Sequence, residues 1–384
     1  MTATFDLSGQ VAELESLVAR YVSLETPTGD PSRIGAFVDE LEADLTGLGG
    51  KVRRESEPTG DHLVADFPGR GTKAELEPIL LLGHYDTVHP AGSLSGTMPL
   101  RRAGDTLFGP GVYDMKSGLA LIMTALDVLN FRQPSGEAAS HRPLRVVFNA
   151  DEEIGSPTSR RIVELAAEAA VCALGFEAPH PDGSLKLGRW GSTRARVTVT
   201  GKEAHAALDP DKGVNAIDEL VDQLTALRAV VDRHHDGMLC NVGTISGGGK
   251  TNVVPASATA EIGFRFRERA SESGVLGELA KIAPLNAGAE VAFEVVTSRP
   301  AWQESAQDRR LANLVLDVGR DIGQTLDARP ARGAADTNFT GGLGIPTLDG
   351  FGPLGQGAHA EHEQIHLPAL GERLALILEV LTRL

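Results

Sequence analysis

The 384-residue chain has only two cysteines, Cys172 and Cys240, each inside an apolar stretch. A disulfide framework and a sulfur-based metal site are therefore excluded, and two buried thiols are expected. Long apolar runs are missing too: no stretch reaches the length of a membrane helix, and residues 1–6 lack a basic segment leading into an apolar one. A cytoplasmic location is the expectation. Positive charge is scarce, with 36 lysines and arginines against 52 acids and a formal net charge of −16. That balance argues against nucleic acid or an anionic membrane as a partner. What is present, 41% hydrophobic and 23% charged residues, suits a folded chain, and the length suits two domains.

Apolar residues recur at helical spacing from Val11 to Leu24 and from Pro31 to Leu48, with Gly49-Gly50 as a stop, and again from Ser117 through Leu129. Between these helices lie short, almost wholly apolar runs beginning at Ile79, Leu144 and Ala170. Strands apolar on both faces belong in a mainly parallel, helix-covered sheet, so the fold class is α/β. The pattern changes near Gly188–Gly191. A strand (Arg194 to Thr200), a helix (Val214 to Val231), two strands (Met238 to Ile245 and Ala258 to Arg267), a helix (Gly274 to Ile282) and a strand (Glu290 to Val296) are expected to follow. This β-α-β-β-α-β order predicts an inserted α+β, ferredoxin-like domain. After Pro300 the alternation resumes, with a helix around Leu311 to Ile322, a strand near Thr347-Leu348 and a terminal helix from Leu367 to Leu384. The expected division is a discontinuous large domain, 1–189 and 299–384, and an inserted domain, 190–298.

Three consecutive acids, Asp151, Glu152 and Glu153, follow the apolar run Leu144–Phe148. At the mouth of a buried strand each carboxylate loses solvation, so a cation must neutralise some of them or a pKa must rise. His84 and Asp86 follow Ile79–Gly83, Asp114 lies in Gly109–Lys116, Glu177 follows Ala173–Phe176, and His359 lies in Gly355–Glu361. Open parallel sheets carry their functional groups at the carboxyl ends of strands, where His84, Asp86, the Glu152-Glu153 pair and Glu177 fall. Imidazole with carboxylate suits a divalent cation, zinc first, with cobalt or manganese also accommodated, and there are ligands enough for more than one ion. Taken singly, His84 or His359 reads as a surface or hydrogen-bonded residue and Asp114 as a helix cap. Their shared position at strand ends favours a metal centre. The remaining histidines, His62, His89, His141, His180, His234, His235, His362 and His366, read as surface residues.

Five ordered segments carry a resemblance. His84–Val88, Gly109–Lys116, Asp151–Ser156, Phe176-Glu177 and Gly357–His359 resemble, in order and rough spacing, the dizinc aminoacylase and carboxypeptidase family, which includes glutamate carboxypeptidases, acetylornithine deacetylases and succinyl-diaminopimelate desuccinylases. The likeness covers nearly the whole chain. Its glutamate carboxypeptidase branch is nearest, through Asn252–Ala258 and the pattern of the inserted domain. The resemblance implies that Asp114 bridges two zinc ions, with His84 and Glu177 completing one site and Glu153 and His359 the other. Asp86 would accept the ring N–H of His84 and fix its tautomer. Glu152 would be the general base, carrying a proton from the attacking water to the leaving amine. His205, in Gly201–Ala206, would support the tetrahedral intermediate from the partner subunit of a homodimer built through the inserted lid domain. Arg265 would grip the α-carboxylate of the released amino acid, a bidentate task suited to guanidinium, and Asn252 would add a hydrogen bond. Without the resemblance, Arg265 reads as a solubility residue. The implied reaction is hydrolysis of an amide or peptide bond that releases an amino acid with a free α-carboxylate.

Departures from the family pattern narrow the transfer. Ser117 stands where many relatives have glycine, a small change expected to leave Asp114 in place, whereas Gly333–Asn338 replaces a more glycine-rich turn, where added Cβ atoms are expected to reshape the pocket. A glutamate side chain would want a second cation, for which Lys186, Arg189 and Lys250 are candidates by neighbourhood only. An N-acyl amino acid deacylase is the alternative reaction. A non-catalytic metal-binding relative is disfavoured by Glu152, which has no structural duty that glutamine could not meet. Gly247–Thr251 imitates a phosphate-binding loop, but Thr244 stands where that motif needs its first glycine, so a turn is expected there.

Overall fold

Ile79–His84 is buried at every position, and its alternate residues face opposite ways. In the computed structural model, which describes Phe5, Leu7 and residues 9–131, 140–234 and 238–384, the chain divides into two units. The first comprises residues up to Gly188 with Glu304–Ala331 and Ala335–Leu384; the second comprises Arg189–Gln303 with Arg332–Ala334.

The first unit holds an eight-stranded sheet in the spatial order Lys51–Glu55, His62–Phe67, Leu144–Asn149, Ile79–His84, Cys172–Gly175, Thr347–Asp349, Leu185–Arg189, Ala328–Ala331. Its middle four strands are parallel, while His62–Phe67 and Lys51–Glu55 on one side, and Leu185–Arg189 on the other, join antiparallel. Ile79 and Leu81 enter a core with Leu14, Phe37, Ile122 and Ile377, from four helices on one face. Leu80 and Leu82 pack on the opposite face with Val163, Ala167 and Phe339. Apolar side chains on both faces are what a helix-covered parallel strand requires. Lys51–Glu55 escaped the sequence pattern because, as an edge strand reading Lys-Val-Arg-Arg-Glu, it buries no residue fully.

The second unit is a four-stranded antiparallel sheet in the order Met238–Gly247, Ser257–Phe266, Gly191–Thr200, Glu290–Arg299. Helices Ala216–Arg233 and Arg269–Leu279 bury Leu220, Leu227, Val275 and Leu279 against Ala195, Val197 and Val199, which alternate along their strand. The helix expected at Gly274 begins five residues earlier, because its first turn carries no large apolar side chain to mark it. Residues 299–303 stay with this unit: Arg299 pairs with Ser192, and Trp302 bridges to Arg189. Within Gly247–Thr251, Gly247 ends its strand and the residues after it turn toward the next one, with Gly248 at φ +65°. Cys172 is buried, but Cys240, on an edge strand, is only half-buried, contrary to expectation.

Candidate metal centre

The central parallel strands end side by side, and each delivers an acid or a histidine. His84 ends its strand; Glu152 and Glu153 lie in a short 3₁₀ turn after Leu144–Asn149; Glu177 follows Cys172–Gly175 by two residues. His84 Nε2 stands 3.1 Å from Asp114 Oδ1 and 3.6 Å from Glu177 Oε1. His359 Nε2 stands 3.3 Å from Asp114 Oδ2 and 3.2 Å from Glu153 Oε2. The two oxygens of one carboxylate thus face two different imidazoles, each accompanied by a glutamate of its own. Ligand atoms of His84, Asp114 and Glu153 all lie within 4.8 Å of one another, a spacing that could hold a metal ion. His84 is enclosed, whereas the His359 side chain is 54% exposed and leaves the site open on that side. Its backbone lies in the left-handed region at φ +63°, a conformation that costs a non-glycine residue about 1–3 kcal/mol.

The electrostatics are those of crowded acids. Burial would raise the Asp114 pKa, but hydrogen bonds from His359 and His84 hold it well below the carboxylate range. Hydrogen bonds to Asp114 and Glu153 lift His359 to about 10. Burial outweighs the His359 contact at Glu153 and pushes that carboxyl up.

A family model described as peptidase family M20/M25/M40 matches residues 80–383. The chain belongs to this family. It is 30% identical over 380 residues to carboxypeptidase G2 of Pseudomonas sp. (strain RS-16), covering 97% of this chain and 88% of that one. It is 29% identical over 362 residues to a succinyl-diaminopimelate desuccinylase of Caulobacter vibrioides, covering 89% of each. Among solved structures, a dinuclear metal-binding M20 peptidase of Bacillus subtilis shares the fold, with a TM-score of 0.63 at 15% identity and 98% coverage of both chains. The protein is thus a hydrolase of the M20 peptidase family, and among its described residues no helix is long and apolar enough to cross a membrane.

In this M20 chain Asp86 meets the His84 ring and also braces the acidic turn. His84 Nδ1 lies 3.0 Å from the Asp86 main-chain carbonyl and 3.4 Å from its carboxylate. A carbonyl can only accept, so Nδ1 donates, which leaves Nε2 as the ring nitrogen that faces Asp114 and Glu177, where it donates to Asp114 when protonated. The Asp86 carboxylate also accepts from the backbone N–H groups of Glu152 (3.1 Å) and Glu153 (3.2 Å) and from Thr28 Oγ1 (2.9 Å). It pins the acidic turn.

The three consecutive acids divide their duties. Asp151 is fully buried and accepts from the Thr158 N–H (2.8 Å), Thr158 Oγ1 (2.7 Å) and both polar groups of Ser159, which makes it a brace for the turn. Glu152, buried at 8% exposure, faces a small cavity with His84, Glu177, Asp336 and Thr337. Asp336 and Thr337 line the wall beside Glu152, and Asp336, which accepts from Asn149 Nδ2 and Ser156 Oγ, is a neighbour of the site that sequence reasoning passed over.

His205, Asn252 and Arg265 belong to the second unit. His205 is exposed, and its Nδ1 accepts from the Ala207 and Leu208 N–H groups at 3.2 and 3.1 Å, so its Nε2 carries the proton. Asn252 lies beside it, its carbonyl accepting from Ala206 N at 3.0 Å. Arg265 is exposed and donates to Ser192 Oγ and to the Phe264 carbonyl. Arg189, offered as a second cation, is buried and donates to the Gly333 carbonyl at 3.0 Å. The surface assignment fails for three histidines: His62 bridges Ala150 N and Thr158 Oγ1, His141 Nδ1 bonds the Arg142 carbonyl, and His89 meets Glu363, all of them buried. His235 lies outside the described residues.

Gly118 links the helix after Asp114 to the Glu177 strand. A Cβ there would run into the Phe176 carbonyl oxygen and come within 2.9 Å of Met115 Cε. Gly118→Ala is therefore expected to cost about 1–3 kcal/mol through overpacking. A urea melt checks this, and an unchanged midpoint would show that the segment yields freely.

Proposed function

We propose that His84, Glu177, His359 and Glu153, with Asp114 shared between them, hold two divalent cations, zinc first and cobalt or manganese as substitutes. The protein then hydrolyses an amide or peptide bond and releases an amino acid with a free α-carboxylate. The observation that carries this reading is the division of the two Asp114 oxygens between His84 and His359. The donor set fits: Glu153 Oε1 is buried without a hydrogen-bond partner, and Asp114, Glu153 and Glu177 outnumber the two imidazoles. Bound divalent cations supply Lewis-acid polarisation of the carbonyl and lower the pKa of water. Glu152, held in place through its backbone by Asp86, takes the proton of the attacking water and delivers it to the leaving nitrogen. His205, with its Nε2–H directed outward, donates to the developing oxyanion in the active site of the partner copy. Arg265 binds the α-carboxylate, with Asn252 as a further donor.

Assembly as a homodimer through the second unit is supported by its exposed apolar groups, Val221 at 55% and Leu239 at 55%, and by the open edge of Met238–Gly247. Two free cysteines accord with a cytoplasmic location. An N-acyl amino acid deacylase is the second reading, favoured by the likeness to the succinyl-diaminopimelate desuccinylase. Metal analysis with a panel of dipeptides and N-acyl amino acids separates the two. The expected result is two ions per chain and faster release of a C-terminal amino acid from peptides. A preference for short N-acyl groups would transfer the conclusion to the deacylase, and no hydrolysis of either class would defeat both.

A further inference from the structure

Glu363 takes no part in the chemistry above, yet its carboxylate is enclosed at 1% exposure and accepts four hydrogen bonds. Oε1 takes the backbone N–H groups of Tyr113 (2.8 Å) and Asp114 (2.9 Å); Oε2 takes the Gly111 N–H (2.8 Å) and His89 Nε2 (2.6 Å). Three of the four donors come from one loop, so a single buried anion fixes the main chain up to Asp114. His359 lies four residues before Glu363, and the segment between them is closed by Ala360 N to Gly357 O at 2.9 Å and Glu363 N to Ala360 O at 3.0 Å. One short stretch therefore supplies an imidazole and also sets the carboxylate that this imidazole faces.

We propose that Glu363, with His89 as its outer partner, is a positioning residue that holds Asp114 so that its two oxygens serve two cations. This rests on the metal-centre reading above. A carboxylate offers about four lone-pair positions, and here four donors occupy them. An amide of the same shape cannot replace it: whichever way it turns, its NH2 group faces either two backbone N–H donors or the Gly111 N–H and the His89 ring. A buried N–H then loses its partner, and the loop must move to recover one. Because Asp114 N is among those donors, the displacement passes to the shared ligand.

Co2+ titrated into the metal-stripped, full-length protein, followed by its visible absorption and by equilibrium dialysis, tests the proposal. The wild type is expected to take up two Co2+ per chain. Glu363→Gln is expected to bind them roughly 10–100-fold more weakly, the usual effect of losing an outer partner, with an altered spectrum and a fall in kcat larger than any change in KM. His89→Leu should weaken binding in the same direction, and His89→Gln, which keeps an N–H donor, should recover most of the loss. Wild-type affinity and spectrum in both Glu363→Gln and His89→Leu, with only a lowered Tm, would overturn the positioning role. Failure of the wild type itself to take up Co2+ would overturn the metal centre and this inference with it, and it is recognised before any substitution is made.

Discussion

Glu152→Gln is expected to keep the wild-type metal content and to lose turnover by about 10²–10⁴-fold, the range a positioned proton carrier contributes. The substitution is nearly isosteric, and the position is fixed by the backbone: the Glu152 N–H is held by Asp86 Oδ1, and the side chain sits at 8% exposure in the cavity wall. Neither short His84 contact nor either short His359 contact is to Glu152. The amide therefore removes the capacity to accept a proton while keeping the shape and the backbone anchor of the residue. Metal analysis beside steady-state kinetics reads the two effects apart. Undiminished turnover would remove Glu152 from the chemistry, and loss of an ion would make it a ligand.

Asp114→Asn is expected to reduce metal uptake from two ions per chain to at most one. Burial acts against ionisation at Asp114, yet the hydrogen bonds from His359 and His84 win and keep it anionic. The amide carries no charge and presents an NH2 group to one of the two imidazoles, so one side of the centre loses its shared ligand. Activity should fall by more than the roughly 10–100-fold typical of losing an outer partner, because the group lost is a ligand in the proposed centre. Equilibrium dialysis with Zn2+ decides the matter. Two tightly bound ions in Asp114→Asn would sink the sharing of this carboxylate.

The features most visible in the sequence are those that a parallel sheet forces into view. Ile79–His84 must be apolar on both faces, so the polar residues that follow it stand out, and the same holds at Glu152 and Glu177. Groups that act through main-chain hydrogen bonds left no comparable signal. Glu363 has a polar context, Gln356–Gln364, in which an acid reads as solvated surface, and His89 follows an exposed Val88. The second duty of Asp86 was hidden for a related reason: its two-residue spacing from His84 points to the ring contact at 3.4 Å, and nothing in that spacing points to N–H groups 66 and 67 residues away. Neighbouring Asp151 carried too much functional weight in the sequence, since a run of acids does not reveal which member is consumed by Thr158 and Ser159.

That last division has a practical meaning. Asp151 and Glu152 are adjacent codons, but the first braces the turn and the second is the proton carrier of the proposed reaction. Damage at Asp151 is felt as less intact protein, because the bend that carries both acids comes apart. Damage at Glu152 is felt as a full complement of protein that works slowly. Two mutations one residue apart would thus look alike in a growth assay and unlike in a yield measurement.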